Sequence, residues 1–263
     1  MYDYHTHSNF SYDHIGGNSI DELVRAAISA GLDEIAITDH YDPNFPADEA
    51  ALDFPAYKRQ IAIAREKYKD QICVIAGIEL GIRPGQTMES CRAEVLSWPY
   101  DFVIASVHSA GEHPIHRPSY RAGKTPLEAI RFYYEWVLTC VEEYSDFDVF
   151  GHLNVIERYA EGIPDESEYM DCVEAVLAAL VAKGKGIEIN TSNYRYGQER
   201  TIPTLSMLKL YKELGGQIVT TGSDSHGIKF VGRDLDKAEA LLKAAGFKYV
   251  TTYRARVPSF RPL

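Results

Sequence analysis

The chain has 263 residues, 45% of them hydrophobic, enough for one sizeable core without disulfides or a second domain. Its 27 Lys and Arg against 38 Asp and Glu give a formal charge of −11 with no long block of like charge, which excludes broad binding to nucleic acid or to an anionic membrane. Apolar runs such as 173–182, interrupted by Glu174, fall short of the ~20 residues that cross a bilayer, and no basic-then-apolar leader pattern opens the chain, so a soluble cytoplasmic protein is expected.

Strand-length apolar runs alternate with helix-periodic stretches from end to end. Strands are predicted at 2–6, 34–38, 72–79, 102–107, 148–151, 186–190 and 217–222, with a further extended piece at 249–253 expected to be peripheral because no chemistry follows it. After the first strand, Ser19 and Glu22 form a capping-box pattern that opens a helix carrying Leu23, Ala26, Ala27 and Ala30, closed by Gly31. Thr125 and Glu128 repeat the pattern, with Pro126 at the first helical position. Further helices are expected at about 54–69, 88–97, 166–183, 203–214 and 234–245. Such βα repetition predicts a parallel sheet covered by helices, doubly wound or closed as a barrel, with sites at the carboxyl ends of the strands. Cys73, Cys91, Cys140 and Cys172 form no C-x-x-C pair and read as reduced structural thiols.

Histidine is the informative residue. His5 and His7 lie two apart on the first predicted strand, so both face one side, as two ligands of one ion must. Asp13 follows in the next loop. His40, Glu79, His108 and His152 then close the second to fifth strands, and Asp224 with His226 close the seventh. A lone His at a strand end is ordinarily a hydrogen-bonded structural residue. Nine such groups at one rim are different, because burying them without a cation leaves unpaired charge and unsatisfied donors, and a multinuclear metal site is expected. Six imidazoles and three carboxylates can serve three divalent ions if Glu79 and Asp224 bridge; Zn, Mn or Fe suits these ligands, and the resulting positive excess favours an anion. Asp39 is a candidate acceptor that orients a ligand imidazole. His14 would point away from the rim if extended, and His113 and His116 lie in the long loop 109–124, in reach of a substrate.

The set His5-x-His7, Thr38-Asp-His40, Gly77-x-Glu79, Ser106-Val-His108, Gly151-His152 and Gly222-Ser-Asp224-x-His226 resembles the polymerase-and-histidinol-phosphatase (PHP) family of metal-dependent phosphoesterases, almost end to end. The opening 3–11, the segment from Gly151 to Tyr159, residues 188–192 and the late 244–247 resemble the stand-alone histidinol-phosphate phosphatases within it. The resemblance implies an α/β fold, a distorted seven-stranded (βα)7 barrel, as one PHP domain over 1–263 with the metal cluster at the C-terminal ends of the strands. It also implies a ligand set: one ion on His5, His7, Glu79 and Asp224, a second on Glu79, His108 and His152, a third on Asp13, His40 and His226. Some relatives carry His where Asp13 stands, which would weaken the third site or favour a harder ion. Arg158 and Arg195 match phosphate-binding positions; the alternative for them is an ion pair with Glu157, Glu161 or Glu199. The loop around His116, with Arg117, Tyr120 and Arg121, departs from the pattern, since an acidic residue is usual there.

The expected activity is a phosphomonoesterase in which a metal-bridging hydroxide attacks phosphorus and Asp224 or His226 protonates the leaving alkoxide. L-Histidinol phosphate, of histidine biosynthesis, is the first-choice substrate and inorganic phosphate the product; no membrane and no nucleic acid is expected as partner. The rivals are a phosphatase or phosphodiesterase acting on nucleotides or nucleic-acid ends, and a non-catalytic metal-binding module, which would be expected to have lost some of the nine residues.

Overall fold

Seven parallel strands follow one another in chain order around a single sheet: β1 (Tyr2–Asp3), β2 (Glu34–Ile37), β3 (Cys73–Gly81), β4 (Phe102–Ser106), β5 (Val149–Phe150), β6 (Gly186–Asn190) and β7 (Val219–Gly222). The computed structural model describes residues 1–14, 16–43, 52–160 and 162–263. Past β1 the chain stays extended and meets the last strand, with the amides of Tyr4, His7 and Asp224 donating to the carbonyls of Thr221, Ser225 and His5, each at 2.8 Å. The sheet therefore closes into a barrel at its C-terminal rim, which decides between the two architectures that βα alternation leaves open.

Helices α1 (Ile20–Ser29), α2 (Phe54–Tyr68), α3 (Gln86–Ser97), α4 (Pro126–Glu143), α5 (Met170–Ala182), α6 (Leu205–Glu213) and α7 (Leu235–Ala244) cover the outside. Both capping boxes form: the hydroxyls of Ser19 and Thr125 accept from the amides of Glu22 and Glu128, whose carboxylates accept in return from the cap amides. The helix expected from 166 starts instead at Met170, behind a single turn at Glu166–Glu168, because Tyr169 turns inward and donates its hydroxyl to the buried Glu157 carboxylate at 2.8 Å.

Alternation along the strands divides the barrel interior by height. Tyr4, Ala36, Ile75, Phe102, Ile104 and Val149 form an apolar lower layer. Two or four residues further up β3 and β4, the same inward face carries Glu79 and Ser106, joined by a 2.6 Å hydrogen bond. β3 runs two residues beyond its expected end because the short strand His40–Tyr41 pairs alongside Glu79 and Leu80.

The piece at 249–253 is not peripheral. It belongs to an antiparallel hairpin, β8 (Tyr249–Arg254) with β9 (Val257–Pro262), that closes the N-terminal mouth of the barrel. Tyr253 enters the lower layer against Phe102, and its amide donates to the hydroxyl of Tyr4, which in turn donates to Glu34. Asp101 and Asp148, at the foot of the barrel, hold Ala255 and Arg256 of the turn. All four cysteines are free, and no described helix is long and apolar enough to cross a membrane.

Candidate metal centre and its anion-facing cavity

Glu79 stands at the middle of the upper layer, fully buried. Its Oε1 lies 2.9 Å from His152 Nε2 and 3.3 Å from His108 Nε2, and accepts from Ser106 Oγ. Its Oε2 lies 2.9 Å from His40 Nδ1, 3.1 Å from His5 Nε2 and 3.5 Å from His7 Nε2. Asp224 Oδ1 sits 3.4 Å from His7 Nε2 and 3.5 Å from His226 Nδ1. On the outer side, Asp13 Oδ2 is 2.9 Å from His226 Nε2 and 3.5 Å from His40 Nε2. All nine residues singled out in the sequence thus converge. Their ligand atoms fall into compact groups: His5, His7 and Asp224; His40, Glu79 and His108; and His7, His40 and His226.

Two of these residues have left-handed backbones, His152 at φ 24° and Asp224 at φ 51°. Non-glycine residues pay for this conformation, which concentrates where side chains must be aimed. His5 Nε2, His7 Nε2, His40 Nδ1 and Glu79 Oε2 are buried, face one another and have no hydrogen-bond partner. Orphaned lone-pair atoms of imidazole and carboxylate type, pointed at a common centre, fit divalent transition metal ions.

The protein field supports this arrangement. Burial opposes ionisation of Glu79, but His5, His40 and His108 outweigh it and hold the carboxyl well below the usual range. Asp224 is likewise held down, against its burial, by His5, His7 and His226. Burial, together with His226 and His40, drives the His7 imidazole well below its ordinary value, which keeps its lone pair available.

Sequence reasoning missed the groups behind the ligands. Glu188 Oε1 faces His5 Nδ1 at 2.7 Å, and Asp42 Oδ1 faces His108 Nδ1 at 2.7 Å. Contrary to the sequence expectation, Asp39 does not meet an imidazole directly among the described residues: it accepts from Ser11 Oγ, which lies 3.1 Å from His7 Nδ1. The signal for Glu188 was present, since Glu188-x-Asn190 on β6 repeats the two-residue spacing of His5-x-His7 and both side chains are buried inward.

A cavity of about 640 Å³ opens over the cluster, lined by His40, His108, His152, Asp224 and His226 below and by Arg158, Arg195 and His116 above. Arg158 donates to Ser192 Oγ and Asn193 Oδ1 and stacks on Tyr196. Arg195 donates to the carbonyls of Ser223 and Asp224 and lies over Phe230. Neither makes an ion pair among the described residues; Glu157 instead pairs with Arg200, and Glu161 lies outside the described residues. His116 is exposed at the rim, its ring 6.4 Å from that of Tyr159. His14 turns back to the Ser11 carbonyl and His113 is exposed on a small hairpin, so neither joins the cluster. Tyr120 is no part of the cavity: it is fully buried and donates to the Ala129 carbonyl.

A parallel barrel with a buried histidine and carboxylate cluster at its C-terminal rim, faced across one cavity by two arginines, is the architecture of a metal-dependent phosphoesterase. The PHP domain family matches residues 3–192, and the chain belongs to that family. It is 35% identical over 261 residues to the histidinol-phosphatase of Lactococcus lactis subsp. lactis, covering 95% of this chain and 93% of that protein. It is 29% identical over 251 residues to the probable histidinol-phosphatase of Thermotoga maritima, covering 95% and 94%. The crystal structure of histidinol phosphate phosphatase from Lactococcus lactis subsp. lactis, complexed with zinc, L-histidinol and phosphate, superposes with a TM-score of 0.90 at 32% identity over 98% of both chains.

Proposed function

We propose that this chain, as one domain over 1–263, is a metal-dependent phosphomonoesterase that hydrolyses L-histidinol phosphate to L-histidinol and phosphate in the cytoplasm. The observation that carries the reading is the pairing of Arg158 and Arg195, which have no carboxylate partner among the described residues, with the cluster across one cavity. The likeness to the Lactococcus protein supports the substrate.

Three divalent ions, of zinc, manganese or iron, would be held by His5, His7, Glu79 and Asp224, by Glu79, His108 and His152, and by Asp13, His40 and His226. Bound there, they would supply a water acidic enough to attack at neutral pH and would neutralise the phosphoryl oxygens. The protein's own part is positioning and charge. Arg158 and Arg195, each tethered by its neighbours, present planar donor forks that match two phosphoryl oxygens. Asp224 is held ionised, and His226 has Nε2 at the Asp13 side of the third ion and Nδ1 on the Asp224 carbonyl, so both act as ligands rather than as the proton donor to the leaving alkoxide. Tyr12, Tyr159 and Tyr196 line the same cavity and offer aromatic faces to an imidazole leaving group.

The test is phosphate release from histidinol phosphate, sugar phosphates and nucleoside monophosphates by metal-replete protein. A higher kcat/KM for histidinol phosphate is expected, abolished by EDTA and restored by zinc or manganese. Equal turnover across the panel would overturn the substrate, and full activity of metal-free protein would overturn the metal dependence.

A further inference from the structure

β6 is the one barrel strand that sends no residue to the cluster, yet its inward carboxylate is buried directly behind it. Glu188 is 1% exposed. Its Oε1 lies 2.7 Å from His5 Nδ1, while its Oε2 accepts from the His152 amide at 2.9 Å and from Asn190 Nδ2 at 3.1 Å. His152 is the residue whose backbone sits at φ 24°. One carboxylate therefore touches the side chain of one ligand and the strained backbone of another, from opposite sides of the barrel.

The surroundings are shaped for it. A Cβ on Gly222 would overlap Glu188 Oε1, and a Cβ on Gly151 would stand 3.6 Å from Oε2 while clashing with Ser106 and Ile104. No Lys or Arg pairs with Glu188 among the described residues, so its burial is repaid by the hydrogen bonds it accepts from the site. An acceptor at Nδ1 holds the His5 proton on that nitrogen and leaves Nε2, the orphaned atom facing Glu79, as the lone pair.

We propose that Glu188 is a positioning residue for metal binding, acting through His5 and His152 together: it sets the tautomer and ring orientation of the first and the backbone of the second. This rests on the metal-centre reading above.

The experiment compares wild type, Glu188→Gln and Glu188→Asp by chelator competition for zinc, zinc content, steady-state kinetics and circular dichroism of the metal-free protein. For Glu188→Gln the metal-free spectrum should match wild type, zinc affinity should fall about 10–100-fold, and kcat should fall with KM nearly constant, because the arginines that bind substrate are untouched. Glu188→Asp, which keeps the charge but withdraws it by one methylene, should lose affinity as well. Unchanged zinc affinity in both variants would overturn the proposal, and so would loss of the native fold in both, which would make Glu188 a residue of the fold alone. Wild-type turnover tests the substrate separately, since the zinc competition needs no substrate.

Discussion

Asp42 and His108 are joined through a gap left by a glycine. The Asp42 carboxylate meets His108 Nδ1 at 2.7 Å, and a Cβ on Gly81, two residues beyond Glu79, would overlap that carboxylate. His108 Nε2 is then aimed at Glu79 Oε1. The glycine, the acid and the imidazole form one unit although they come from three segments of the chain.

Gly81→Ala is therefore expected to act as a metal-site variant. Its backbone conformation is open to any residue, so the new methyl should expel Asp42 rather than unfold β3. Zinc affinity should fall about 10–100-fold, as for loss of a group that orients a ligand. Chelator competition checks this, with Asp42→Asn expected to give a similar loss.

Proton release accompanies metal loading. Burial disfavours a charged His108, but Asp42 and Glu79 outweigh it and raise its pKa to about 10. In ion-free protein this pairing contributes stability that is fully present below the unfolded value of about 6.5 and is lost as pH rises through about 10. An ion needs that nitrogen's lone pair, so the proton must leave. Stripped protein titrated with zinc in weak buffer near neutrality should release protons, and zinc affinity should fall as pH is lowered. A pH-stat reads the first and chelator competition the second; uptake with no proton release would contradict the arrangement.

Arg158→Ala and Arg195→Ala should each cost about 2–4 kcal/mol in transition-state stabilisation, read from kcat/KM, with zinc content unchanged. Arg195 also donates to the carbonyls of Ser223 and Asp224, so its loss should be the larger in kcat. Wild-type kinetics in both variants would place these side chains outside the phosphate site.

His116 and Tyr120, which share a loop, should behave oppositely. His116, exposed on the cavity rim, is expected to change the ratio of kcat/KM between histidinol phosphate and a generic aryl phosphate when replaced by Ala, because the phosphoryl end is held elsewhere. Tyr120→Phe should leave that ratio alone and lower stability by about 1–3 kcal/mol, through loss of its bond to the Ala129 carbonyl. Thermal melts beside the two-substrate assay separate the effects.

The βα alternation, the capped helices and the nine convergent residues were legible in the sequence because each follows from short-range rules. Residues two apart on a strand share a face, a capping box spans three residues, and parallel strands deliver their last residues to one rim. His5, His7, Glu79 and His108 could be placed by counting. Closure into a barrel, in contrast, rests on Tyr4, His5 and His7 meeting Thr221, Asp224 and Ser225 of β7 and its loop from more than two hundred residues away, and the resemblance to the PHP family, rather than periodicity, supplied it. Tertiary structure alone decided the supports. Asp42 reaches His108 across 66 residues and Glu188 reaches His5 across 183, and neither approach is possible without the missing side chains of Gly81 and Gly222. It also turned the 249–253 segment into the floor of the barrel and buried Tyr120 away from the cavity. Such pairings have no period along the chain, because what selects them is the space left between strands once the barrel has closed.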